Sequence, residues 1–250
     1  MPLYVVATPI GNDEDLSPRA ARLLSEADLW VVEEMKNGRR LAKRLGVFKE
    51  MIPLNEHNEA QNAQEALELL LSGKNLTLTT DAGTPGFADP GARLVELCHQ
   101  NGVEVVAVPG PSSLSAALSL SGLPLSEFYY AGFLPRSAEE RRVTIRRFAA
   151  FGVPVVLYDT PYRIKALVTD LMAELGPSRP VRVFFSLTQE DEETLVSTLS
   201  ELDLYLGDSP KKREFVLVVE PSYKQRTTGG VKTKEAPHRP AKTRKSRVVR

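Results

Sequence analysis

Cysteine is almost missing from this 250-residue chain, which holds only Cys98. One thiol can neither close an internal disulfide nor build a cysteine metal site, so a stapled secreted scaffold and a zinc ribbon are both excluded. Cys98 sits within GARLVELCHQNG, which reads as a helix, and is expected as a small core residue. Histidine is scarce too: His57, His99 and His238 have no metal-ligand spacing, and no metal is expected. No apolar run approaches the roughly 20 residues that cross a bilayer, and the first residues enter a strand with no charged leader. A cytoplasmic protein without membrane contact is therefore expected.

Net charge is also lacking, with 32 Lys/Arg against 32 Asp/Glu, but the balance conceals a division. Residues 222–250 carry ten Lys/Arg and the single acid Glu235, net +9, whereas residues 1–221 carry 22 Lys/Arg and 31 acids, net −9. The tail has no apolar periodicity and is rich in Gly, Pro, Thr and Lys, so it is expected to be disordered. Its cations, Lys242, Arg244, Lys245 and Arg247 among them, suit a polyanion. A solubilising extension, or one that folds back on the acidic body, is the alternative.

With 42% apolar residues, what remains can bury a substantial core. Short β-rich runs alternate with helical segments, the pattern of an α/β protein with mainly parallel sheets. Strands are predicted at 3–7, 29–33, 76–80, 103–108, 128–133, 153–159, 181–186 and 214–220. Ser17-Pro18, Asp89-Pro90 and Thr160-Pro161 each offer an N-cap oxygen before a first-turn proline, and Ser137 with Glu140 has capping-box spacing. Gly73, Gly102 and Gly176 follow helical runs as C-cap residues do. The helix SLSAALSLSG ends at GLPLSE, which predicts two α/β domains, 1–122 and 123–221, followed by the tail at 222–250.

Four loops follow predicted strands and expose backbone: ATPIGN, DAGTPGFADPG, VPGPSS and YDTPYR. In a parallel sheet such loops converge on one rim, where glycine permits close approach and proline fixes the path. The first loop lacks the G-x-G-x-x-G of a dinucleotide site, and neither a P-loop nor a nucleophile elbow occurs.

Taken in order, LYVVATPIGN, LNEHNE, DAGTPGFADPG, VPGPSSLSAALSLSGLP, FYYAGFLP, LYDTPYR and EFVLVVE resemble the ribosomal RNA small subunit methyltransferase I family of the tetrapyrrole methylase superfamily. The resemblance spans about residues 3–220. It implies two α/β domains, usually a homodimer, with S-adenosylmethionine in the cleft between them. The implied activity is 2′-O-ribose methylation of a cytidine in the 16S rRNA of the small (30S) subunit. Carried over by position, the implied donor-site residues are Pro9, Gly11, Asp81, Ala82, Gly83, Thr84, Ser112, Ser113 and Leu187. Asn58, Glu59, Tyr158 and Arg163 fall at substrate positions.

Two departures bear on the acceptor. Glu33-Glu34-Met35-Lys36 stands where the family has Glu-Asp-Thr-Arg, and Phe185-Ser186-Leu187-Thr188-Gln189 where it has Arg-Glu-Leu-Thr-Lys. A lysine cannot reproduce the planar fork of arginine. Glu33, Glu34 and His57 remain as candidate bases for a ribose hydroxyl, with a hydrogen-bonded structural histidine the alternative for His57. The donor pocket is thus expected to be intact and the acceptor site diverged. A methyltransferase for a small tetrapyrrole and a non-catalytic RNA-binding descendant are the rival readings.

Overall fold

A computed structural model describes residues 1–222; the basic-tail residues Lys242, Arg244, Lys245 and Arg247 lie outside them. The first sheet is formed by β1 (Leu3–Val6), β2 (Leu29–Val32), β3 (Glu50–Pro53), β4 (Leu76–Thr79) and β5 (Val105–Val108). All neighbours are parallel, in the order β3-β2-β4-β1-β5. Alternation along each strand divides the side chains between two faces. Val6, Trp30, Val32 and Val108 pack under α1 (Pro18–Glu26) and α2 (Met35–Leu45). Leu3, Val31, Leu76 and Leu78 pack under α3 (Glu59–Leu71) and α4 (Ala92–Gln100), which also encloses the fully buried Cys98.

After α5 (Ser113–Ser121), the chain turns at Gly122 and builds a second sheet. Its strands are β6 (Tyr129–Phe133), β7 (Val155–Asp159), β8 (Pro180–Phe185), β9 (Glu193–Thr198) and β10 (Phe215–Val219), ordered β6-β7-β10-β8-β9. Only β6 and β7 are parallel; β10 runs antiparallel to both β7 and β8, and β9 antiparallel to β8. The expectation of mainly parallel sheets therefore holds for the first sheet and fails for the second. Both β3 and β9 were missed, because EMIP and ETLVST are short, half-exposed edge strands with charged residues and no long apolar run.

One face of the second sheet carries Leu157, Val183, Phe185 and Leu217 against α6 (Ala138–Ala149), α7 (Ile164–Leu175) and α8 (Leu199–Leu206). The other face, with Val156, Phe184, Val216 and Val218, receives Ala117 and Leu118 of α5. Thus α5 packs on the second sheet, and Arg182 fastens its end by donating to the Ser121 carbonyl while pairing with Glu220.

Ser17 caps α1 as expected, accepting from Ala20 N, with Pro18 in the first turn. The Asp89-Pro90 and Thr160-Pro161 pairs do not start helices; α4 and α7 begin two to three residues later, behind Gly91 and Arg163. Ser137 is an N-cap by position without the side-chain bond, whereas a capping box forms at Thr198 and Glu201.

Asp170 on α7 is buried and receives Arg141 and Arg142 from α6. Burial alone would raise its pKa, but the hydrogen bonds from both arginines prevail and hold it below the ordinary aspartate value. Truncating one partner of a buried pair strands the other, at about 3–5 kcal/mol. Asp170→Ala is expected to lower stability by that order in denaturant unfolding at pH 7. The deficit should shrink as pH falls through the depressed carboxylate value, because the wild-type protein then loses the same interaction.

Candidate active site between the two sheets

The loops after β1 and β4 meet first. Thr8 N donates to Gly83 O at 2.9 Å and Gly83 N to Thr8 O at 3.0 Å, while Thr8 Oγ1 donates to the Thr80 carbonyl at 3.2 Å. Gly83 has φ of +91°, a backbone region that side-chain-bearing residues seldom enter. Helices from these adjacent strands pass to opposite faces of the sheet, so the loops separate here and leave a crevice at the carboxyl edge. Thr84 ties in the next loop by donating to the Pro111 carbonyl at 2.9 Å.

The second sheet closes on this rim. Asn12 N donates to Thr188 Oγ1 at 3.0 Å, and Ser113 Oγ lies 2.7 Å from Tyr158 Oη. A Cβ on Gly11 would lie 2.6–2.8 Å from Gln189 Cγ, Leu187 O and Thr188 Oγ1, so the two halves touch there only because the residue is glycine. Between them lies a cleft of about 220 Å³ whose walls include Ile10, Ala82, Ser113, Tyr158, Asp159 and Leu187, with Phe184, Gln189, Glu214 and Val216 further along. Asp159 is 3% exposed, and its Oδ2 has no hydrogen-bond partner although Oδ1 accepts from Thr160 N. Burial raises its pKa, against the hydrogen bond from Thr160 and the charges of Arg163 and Arg141. Asp159 Oδ1 also pairs with Arg163 Nε at 3.3 Å, so this carboxylate is already matched by a cation, and the cleft itself suits a ligand with an apolar body.

On the other side of the Thr8–Gly83 link is a second cavity, of about 360 Å³, bordered by Thr8, Pro9, Thr80, Asp81 and one face of α2. Glu33 Oε2 accepts from Asp81 N at 3.2 Å. Burial raises the pKa of Glu33, with the charges of Asp81 and Asp89 adding to the rise. Burial likewise raises Asp81 and Asp89.

The residues suggested by sequence separate into groups. Ala82, Ser113, Leu187 and Tyr158 line the cleft; Pro9 and Asp81 line the second cavity; Ser112 borders an open hollow with Gly110 and Thr188. Gly11, Gly83 and Thr84 hold the loops together. Arg163 donates to the Leu134 and Pro135 carbonyls, both at 3.0 Å, and so pins the Phe-Leu-Pro turn. Asn58 Oδ1 accepts from Asn55 N, and Glu59 Oε1 accepts from Gly91 N at 2.8 Å, anchoring the end of the long glycine-rich loop. Glu34 is exposed at the start of α2. The His57 side chain is 85% exposed, with Nε2 3.5 Å from Glu56. Of the three candidate bases, only Glu33 is sheltered.

The departures noted at 185–189 do not all face the cleft. Phe185 points into the opposite core, stacked with Tyr205 and beneath the Arg213 guanidinium. Ser186 is buried, while Leu187 and Gln189 reach the cleft. Asp159, Glu214, Phe184 and Val216 were not singled out as site residues. Asp159 stood inside a loop already quoted, but the other three needed the facing of β8 and β10 to be known.

Residues 2–203 match the family described as tetrapyrrole (corrin/porphyrin) methylases. The fold resembles that of diphthine synthase, with a TM-score of 0.70 and 18% identity over 88% of this chain and 90% of that one. It also resembles the uroporphyrin-III C-methyl transferase from Thermus thermophilus complexed with S-adenyl homocysteine, with a TM-score of 0.62 and 21% identity over 88% and 97%.

Sequence relatives narrow this further. A Synechocystis protein named ribosomal RNA small subunit methyltransferase I is 37% identical over 217 residues, 87% of this chain and 78% of the relative. The protein of that name from Vibrio cholerae is 38% identical over 219 residues, 87% and 76%. The chain belongs to the ribosomal RNA small subunit methyltransferase I family, and is an S-adenosylmethionine-dependent methyltransferase.

Gly11→Ala is expected to separate the halves at their tightest contact, costing about 1–3 kcal/mol as overpacking does. Calorimetry should show donor affinity reduced at least tenfold, with far-ultraviolet circular dichroism unchanged.

Proposed function

We propose that this chain methylates the ribose 2′-hydroxyl of a cytidine in small-subunit rRNA. The observation that carries the reading is the pair of adjacent cavities lined by successive residues of the β1 and β4 loops. Ile10 and Ala82 face one, and Pro9 and Asp81 face the other. The names of the 37–38% identical relatives supply the acceptor class.

In this reading the 220 Å³ cleft holds the methyl donor. Ile10 and Leu187 cover its apolar part, Ala82 and Ser113 line the wall from the first sheet, and Gly11 and Gly83 hold the loops that shape it. When bound, the donor supplies an electrophilic methyl group on a sulfonium that departs as a neutral thioether. The protein's principal contribution is alignment, an effect that can supply about 7–11 kcal/mol. The ribose hydroxyl loses its proton as the new carbon–oxygen bond forms, and the Glu33–Asp81 carboxylate pair takes it. Proton acceptance by a positioned base typically adds about 10²–10⁴-fold. Tyr158 and Ser113, hydrogen-bonded across the cleft, keep the halves in register.

Residues 1–122 and 123–221 act as the two domains in this scheme, with α5 as the joint, and the cations of residues 222–250 add phosphate affinity. A homodimer is the proposed assembly, for which exposed Phe128, Tyr129 and Phe151 at the edge strand β6 offer apolar surface. An rRNA acceptor places the enzyme in the cytoplasm. Among the described residues no helix is long and apolar enough to cross a membrane.

The test is transfer of labelled methyl to small subunits lacking the modification, beside naked rRNA and a tetrapyrrole precursor. Label on one cytidine ribose is expected. Label in the tetrapyrrole lane alone would replace the acceptor, and donor binding without transfer would favour an RNA-binding descendant. The rate should rise with pH through an acid limb above the ordinary carboxylate value, since the raised Glu33–Asp81 pair must be deprotonated to act. Glu33→Gln and Asp81→Asn should each shift that limb and reduce kcat at least tenfold.

A further inference from the structure

The acidic body of this protein concentrates positive charge in one place. Helix α2, MKNGRRLAKRL, carries Lys36, Arg39, Arg40, Lys43 and Arg44 in eleven residues with no acid, and all five are exposed. Arg44 is paired with Asp13. Among the described residues no other ion pair involves this helix. Lys36 with Arg40, Arg39 with Lys43 and Arg40 with Arg44 are all like charges at i,i+4, each of which weakens a helix rather than strengthening it. Lys43 and Arg44 lie in the last turn, where cations complement the helix dipole, but helix stability gives no reason for Lys36, Arg39 and Arg40.

The position of α2 supplies one. Asn37, Arg40, Lys43 and Arg44 form one wall of the 360 Å³ cavity, and Asp81 stands on the other. Eleven helical residues extend about 16 Å, a length that four to five phosphates of a nucleic-acid strand would cover at about 3.4 Å of rise each. A small polycarboxylate would meet Asp81 as well as the cations. An RNA strand can instead direct phosphates to α2 and an uncharged ribose hydroxyl to the carboxylate.

We infer that the exposed face of α2, with the cavity it walls, is the groove that holds the RNA strand, Arg39, Arg40 and Lys43 contacting its phosphates. The inference rests on the rRNA reading and gives it a surface: the body binds the acceptor through α2, independently of the basic residues 222–250. A nucleotide held there has its ribose next to Asp81, one residue from Ala82 in the donor cleft.

The experiment compares full-length wild type with R39A/R40A/K43A and with a charge-matched control, R19A/K74A/R147A, whose residues are exposed and lie outside α2. Affinity for small subunits and for an rRNA fragment is measured across salt concentrations, with donor binding and melting temperature recorded for each protein. The α2 variant should bind at least tenfold more weakly at low salt. Its log–log salt slope should be shallower by about two, as loss of three single-strand phosphate contacts requires. The control should match wild type, and donor affinity should be the same in all three. Equal slopes for the two triple variants would overturn the inference, while methyl transfer by wild type would leave the rRNA reading intact. Conversely, an α2-dependent slope with no transfer to RNA would uphold the groove and remove the rRNA reaction. Absence of RNA binding by wild type would remove both.

Discussion

The backbone exchange between Thr8 and Gly83 is the contact on which the rest of the site depends. Two main-chain hydrogen bonds join the loops of the central strands β1 and β4, and the Thr8 hydroxyl adds a third tie at Thr80. Because parallel strands pair slantwise and their loops leave at one edge, nothing else in the sheet would hold these two loops in fixed relation. Once they are joined, successive residues of each loop must point to opposite sides. One side becomes the cleft toward the second sheet and the other the cavity under α2.

The second sheet is held to that rim chiefly through α5. This helix follows directly from the β5 loop, yet its apolar side rests on Val156, Phe184, Val216 and Val218. Burying a leucine such as Leu118 contributes about 1.5–3 kcal/mol, so the joint is an apolar seat finished by the Arg182 clasp at Ser121. The small side chain of Gly11 then decides how closely the halves approach. Ser186 and Thr188, at φ of +48° and +66°, hold the facing loop in a shape that non-glycine residues rarely take. Such conformations persist only where surrounding contacts enforce them, and here they aim Leu187 and Gln189 at the cleft.

Electrostatics divides the two cavities. Three carboxylates, Glu33, Asp81 and Asp89, are crowded and partly desolvated near the β4 loop, which makes each easier to protonate than in water. Across the cavity from Asp81, α2 presents cations that repel one another. Each set is unfavourable alone, and their proximity gives a surface that discriminates between phosphate and hydroxyl groups of one ligand. His57 stands apart from both sets, on an exposed turn beside Glu56.

Much of this was legible in the linear chain. Alternating β-branched runs set the core strands of both sheets, Ser17-Pro18 set the start of α1, and glycine and proline loops at strand ends marked the rim, because these signals are local. The resemblance carried the family and the donor loops. Edge strands β3 and β9 were not legible, since their stability comes from neighbours across the sheet rather than from their own composition. Nor was the antiparallel course of β10, which depends on where a distant strand finds an open edge. Asn58, Glu59 and Arg163 looked like ligand residues in sequence and proved to be bonded to backbone, Asn58 to its own turn at Asn55 and the other two to segments 28 to 34 positions away. Sequence alone determined which residues could expose backbone, cap helices or carry charge, because those are properties of single side chains and near neighbours. Only the tertiary structure decided that Phe185 turns from the cleft while its neighbour Phe184 turns toward it, because facing is set by strand register across the whole sheet.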